Sequence, residues 1–179
     1  MSKNNFVVFP TILLTSFLPL AHAAAKTADP PVQLLKDMQT QANDASIAAD
    51  QLEALINLSP DTAESQLSGL GVLREKVNAM GRDVVKLEEE RARLSPLEQQ
   101  ALDRVLPLVQ ANARDTSSAI QSFNSDYHPD LRNPAEAGYT DDIRVRSDKI
   151  ASTLHNFLTM ERLRQKESAA EGAVSGAGN

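Results

Sequence analysis

The densest mixture of titratable side chains in this sequence lies between Asn124 and Tyr139, a stretch that gathers Asp126, Tyr127, His128, Asp130 and Arg132. A carboxylate beside an imidazole can move a proton, so acid–base work by His128 with Asp126 or Asp130 is the first chemistry to weigh. It goes no further. The stretch has no second histidine, no activated nucleophile and no glycine-rich phosphate loop. Its aromatic rings suggest binding instead, because aromatic side chains concentrate at the energetic centres of interfaces and charged neighbours form their rim. Tyr127, His128, Asp130, Arg132 and Tyr139 are therefore the expected partner-contact residues. The competing expectation is a plug, with Phe123, Tyr127 and Tyr139 sealing one end of the fold.

Metal and cofactor chemistry find no foothold. Ser125 and Ser152 stand three residues before His128 and His155, so the Glu-x-x-His pairs of di-iron bundles are absent. No His-Glu-x-x-His helix occurs either. Met38 and His155 are the one pair worth testing as axial ligands of a b-type haem. Helical phase sets His155 opposite the apolar seam of its own helix, which argues against it. The chain has no cysteine, which removes thiol catalysis, disulfides and Cys-ligated metals together. No catalytic, metal-ligating or cofactor-binding residue is expected, and no cofactor.

Composition narrows the partners. The formal net charge is −6, and the basic residues are interleaved with acids, so nothing resembles the basic footprint of a nucleic-acid binder. Lys86-Leu-Glu-Glu-Glu-Arg-Ala-Arg93 reads as a solvated helix face with i,i+4 pairs Lys86–Glu90 and Glu89–Arg93. After the first 23 residues only Phe123, Tyr127, Tyr139 and Phe157 are aromatic.

The elements that must position these residues are helical throughout. From Val32 onward apolar residues recur every three or four positions. The first helix is expected over Pro31 to Leu58, with a seam of Leu34, Met38, Ala45, Ala48, Leu52 and Leu55. Its alanine-rich middle permits close approach by a neighbour. Ser59-Pro60 marks the next start, with serine as cap and proline at the first helical position. The second seam is Leu67, Leu70, Leu73, Val77, Met80, Val84, Leu87 and Leu94, with a bend or delayed start expected around Gly69 to Gly71. Leu94-Ser95-Pro96-Leu97-Glu98 repeats the device and completes a capping box. The third seam is Leu102, Val105, Val109, Thr116, Ala119 and Phe123, widened by Leu106 and Ile120, and Pro107 is expected to kink it. The fourth starts with Thr140 as cap and Asp141-Asp142 in its first turn. Its seam is Ile143, Ile150, Leu154, Phe157 and Met160, and Arg162, Arg164 and Lys166 close its last turn. An Ala-Gly-Ser-rich tail, expected to be disordered, occupies 168–179.

These elements imply an all-α fold, an antiparallel up-and-down four-helix bundle of long amphipathic helices over 31–167. Residues 1–23 carry the marks of a signal peptide. Lys3 precedes an apolar run from Phe6 to Leu20, and Ala21-His22-Ala23 offers small residues at a cleavage site. The run is short and interrupted by Pro10 and Pro19, so no retained transmembrane segment is expected. Residues 24–30 would form a flexible mature N-terminus, and the protein would be exported, periplasmic or extracellular.

The Leu-Ser-Pro starts at Leu58 and Leu94 are similar to the repeated Leu-Thr-x-x-Gln starts of helical periplasmic chaperones that sense envelope stress. Thr62 and Glu98 stand where that pattern has glutamine, with Gln99 one residue later, and this chain is acidic where those chaperones present a basic concave face. Ordinary N-capping accounts for both starts, so no family membership follows. The sequence thus points to a non-enzymatic protein that binds another protein or serves as a structural envelope component. A chaperone of that type is the alternative, and a small-ligand-binding bundle a distant third. A binding module should leave an apolar stripe outside the bundle, for example at Leu106-Leu108 or Ala119-Ile120.

Overall fold

A computed structural model describes residues 30–58, 63–125 and 137–176. They form α1 (Pro30–Leu58), α2 (Ala63–Glu89), a short 3-10 turn (Arg91–Arg93), α3 (Pro96–Ser125) and α4 (Ala137–Gly176). α1 packs on α2 and α4, and α3 packs on the same two helices, closing a ring in chain order. Cross-helix pairs run in opposite directions along each neighbour: Gln41 meets Asp83 while Asp44 meets Lys76, and Asn112 meets Ser147 while Arg104 lies over Phe157. The bundle is antiparallel, as its seams require.

One core runs the length of the ring. Leu35, Met38, Leu52, Leu70, Leu73, Met80, Leu87, Leu102, Ile143, Ile150 and Leu154 are fully buried within it. The apolar periodicity sets α1 about one residue out of phase at each end. Leu35 and Ile56 are buried, whereas Leu34 is only partly covered and Leu55 is exposed. Leu67 and Met160 are likewise exposed, and at the start of α2 it is Gln66 that takes the buried position instead of Leu67.

α2 is helical through Gly69 and Gly71 rather than broken there. Gly69 has a packing role: a Cβ at this position would stand 2.9 Å from Cδ1 of the fully buried Leu52. The thin middle of α1 and this glycine together let α1 and α2 pack closely. α3 likewise continues through Pro107, which sits on its exposed side.

The α2–α3 corner carries the expected capping box. Ser95 N donates to Glu98 Oε2 at 2.7 Å, and Glu98 N donates to Ser95 Oγ at 3.3 Å. Gln99 adds two bonds, its Nε2 donating to the carbonyls of Arg91 at 3.2 Å and Leu94 at 3.0 Å. Carbonyls of the turn between α2 and α3 are thus satisfied by the helix that follows. Ser59 and Pro60 lie outside the described residues.

α4 departs from expectation at both ends. It begins at Ala137, so Thr140 is inside the helix, and it is buried. At the far end it continues past Ser168 to Gly176, so the expected tail is helical over most of its length. Ala169, Ala170 and Glu171 are good helix formers, which outweighs the small-residue composition locally. Every side chain from Arg162 to Glu171 is exposed. Arg162, Arg164 and Lys166 consequently lie mid-helix and do not complement its C-terminus.

Candidate functional site

The stretch singled out by its titratable side chains is only partly visible. Tyr127, His128, Asp130 and Arg132 lie outside the described residues. At its borders Phe123 is buried in the last turns of α3, and Tyr139 is partly buried against the same core from the first turn of α4. Those two rings help to close this end of the bundle. The histidine on α4 is exposed, with Gln39 Nε2 3.4 Å from its Nδ1. Met38 is completely buried, so Met38 and His155 do not face one another across a pocket.

What the structure does gather are polar ties between helices. The deepest joins α3 to α4. Asn112 Nδ2 donates to Ser147 Oγ at 3.0 Å, both residues being fully buried, and Arg146 Nε donates to Asn112 Oδ1 at 2.9 Å. Arg146 also pairs with Asp115 and, at 3.6 Å, with Asp142. Each partner offsets the cost of withdrawing the guanidinium from water. One turn beyond Asn112 the Thr116 hydroxyl is buried with no hydrogen-bond partner among the described residues.

A second tie joins α1 to α2. Asp83, 7% exposed at its side chain, accepts from Gln41 Nε2 at 2.9 Å and Lys86 Nζ at 3.0 Å. Lys76 pairs with Asp44 at 3.1 Å further along the same seam. A third tie secures the α2–α3 corner, where Arg91 reaches Glu88 at 2.7 Å and Asp103 at 2.8 Å. Donating to these two carboxylates pushes the Arg91 pKa upward, and the bond from Arg91 holds the Glu88 carboxyl below its ordinary range. On α4, the bond to Asp141 raises Arg144 in the same way. In the charged run on α2, Lys86 pairs with Asp83 and Arg91 with Glu88 and Asp103; the expected Lys86–Glu90 and Glu89–Arg93 pairs are not among the ion pairs of the described residues.

Apolar spacing passes over Asn112 and Ser147, since Thr116 is the one polar residue admitted to a seam. The signal was present as two gaps. The third seam jumps from Val109 to Thr116 and the fourth from Ile143 to Ile150, and the residues that fill those gaps bond to each other.

The surface offers two further features. At one end Val32, Leu35, Leu97, Glu98, Phe157 and Glu161 surround a cavity of about 10 Å³, room for a single water. Along the α2–α3 seam runs an open groove lined by Val77, Gly81, Val84, Leu106 and Ala113, with Val85 at its lip and 56% exposed. Leu106, Leu108 and Ile120 are partly buried against the core and Ala119 is buried, so the expected outward stripes do not form there. Among the described residues no three His, Asp or Glu side chains come together in a way that would hold a metal ion, and no helix is long and apolar enough to cross a membrane.

Compared with family models, with curated proteins and with solved structures, the chain matches none.

Proposed function

We propose that this protein is exported and works without catalysis, by contact with another protein or as a structural component of the cell envelope. One observation carries the reading: charges along the helix seams and at the α2–α3 corner are engaged in holding the bundle together. Arg146, Asp83, Arg91 and Glu98 each have partners within the bundle. A catalytic group must be free to exchange protons or bonds with a substrate, and these are not. Large apolar side chains meanwhile stand outside, among them Val85, Ile47, Val145 and Leu163, each at least half exposed. Export rests on the order Lys3, apolar run, Ala21-His22-Ala23.

In-cell crosslinking followed by recovery from envelope fractions tests both halves. The expected product begins at Ala24 by mass spectrometry and carries a reproducible protein partner. A cytosolic product retaining Met1 would defeat the export reading. Suppression of aggregation of unrelated proteins would favour the chaperone instead. Within the terminal stretch, Tyr127→Ala should lower partner recovery at unchanged melting temperature if Tyr127 is a contact, or lower the melting temperature if it is a plug.

A further inference from the structure

Gly69 and Gly81 lie on the same helix, and only one of them is explained by the bundle. A Cβ at Gly69 would collide with Leu52, whereas a Cβ at Gly81 meets nothing within 4 Å. Gly81 sits mid-helix, where alanine is better by about 1 kcal/mol. The fold draws no packing from its missing side chain. Beside it lies the open α2–α3 groove, with exposed Val85 at the lip. Arg82 and Glu89 bracket Val85 on one helix face, a turn before it and a turn after. Their neighbours are occupied: Lys86 is tied to Asp83, and Arg91 to Glu88 and Asp103. Neither Arg82 nor Glu89 takes part in an ion pair of the described residues.

We propose that this face binds a second copy of the chain, the two α2 helices meeting antiparallel across a two-fold axis beside Val85. The charge pattern selects that occupant. An axis between Val85 and Lys86 exchanges position 82 with position 89, so Arg82 of each copy lies level with Glu89 of the other. Symmetry then forms both pairs at once, as an isologous interface requires. A parallel arrangement would oppose like charges instead. Val85 packs against the apolar stem of Lys86 from the second copy, whose ammonium is already held by Asp83. Gly81, adjacent to Arg82, leaves space for the second helix to come close. α2 has 27 residues and is about 40 Å long, and α3 lies beside it. A face of that length and two helices wide has room for the roughly 800 Å² per partner of a stable interface.

The inference adds a second copy to the binding reading above, and its test is separate from the search for an envelope partner. Sedimentation equilibrium of the purified protein, in a series reaching about 100 μM, should show twice the mass of one chain. Arg82→Glu and Glu89→Arg should each weaken self-association by roughly tenfold to a hundredfold, since each turns two attractive pairs repulsive. The double variant should restore it. Gly81→Gln should also give monomer, with undiminished helicity by circular dichroism. A monomeric protein throughout the series would overturn the inference, as would single charge reversals that leave the dimer intact or a double variant that stays monomeric. None of those outcomes bears on capture of a different protein.

Discussion

The two edges of α2 solve opposite problems. Toward α1 the seam is closed: Leu52 sits over Gly69, and the Asp83–Gln41 and Lys76–Asp44 ties cross it. Toward α3 the seam is joined firmly at the Arg91 corner but open along the groove beside Gly81 and Val85. A single helix can therefore carry the same residue type for unrelated reasons. Glycine on the closed edge serves internal packing; on the open edge it leaves a surface unfilled. Substitution at the closed edge should cost stability, and substitution at the open edge should not.

The largest effect should come from the core that both edges share. Leu87 is fully buried, so Leu87→Asp strands a carboxylate among apolar side chains and should cost about 4 kcal/mol or more, enough to unfold the domain. Loss of the helical circular dichroism signal checks this. Asp83→Ala should damage only the closed edge, by about 2 kcal/mol in urea melts, because it leaves Gln41 Nε2 without its acceptor. A variant as stable as wild type would mean that this tie contributes nothing.

The two glycines sharpen the contrast most directly. Gly69→Ala should destabilise by about 1 kcal/mol, since its Cβ would stand 2.9 Å from Cδ1 of the fully buried Leu52, which must shift within the core. Gly81→Ala, in dilute solution, should stabilise by about 0.5–1 kcal/mol through helix propensity alone. Opposite signs in parallel thermal melts are expected; equal signs would erase the distinction between the edges.

A smaller effect is tied to pH. Glu88 titrates below its ordinary value of 4.5, chiefly because Arg91 donates to it. A depressed folded-state pKa contributes stability that is present above the unfolded value and disappears as pH falls through the folded one. The advantage of wild type over Glu88→Gln should accordingly be small at neutral pH and vanish on acidification below 4.5. Val85→Lys should change monomer stability least, by under about 0.5 kcal/mol, as its side chain is mostly in water.

Much of this architecture is legible from apolar spacing. Leu102, Val105, Val109 and Phe123 fall on the buried face as their periodicity dictates, and Ser95 with Glu98 forms the capping box that its three-residue separation announces. Phase errors arise in α1, where runs of adjacent apolar residues, Leu34-Leu35 and Leu55-Ile56, leave the choice of face to tertiary contacts. The overhang of α4 was illegible for a different reason, since composition describes an average and helix continuation depends on local formers such as Ala169 and Ala170. Of the residues expected to touch a partner, only Tyr139 can be placed, and it leans on the core. The open groove was hidden because a sequence pattern shows which residues share a face but not how far apart two helices stand.

The Asn112–Ser147 bond constrains how this sequence can change over time. An apolar replacement at Asn112 alone leaves the buried Ser147 hydroxyl without its donor and takes one acceptor from Arg146, which keeps Asp115 and Asp142, and one at Ser147 alone strands an amide. Replacing the network together carries much less penalty, because no polar group is then left behind. Single-step paths away from this pair cross a fitness valley, while concerted ones do not. In a deep mutational library the two positions should therefore show epistasis of positive sign, each tolerating an apolar residue chiefly in backgrounds where the other has already changed.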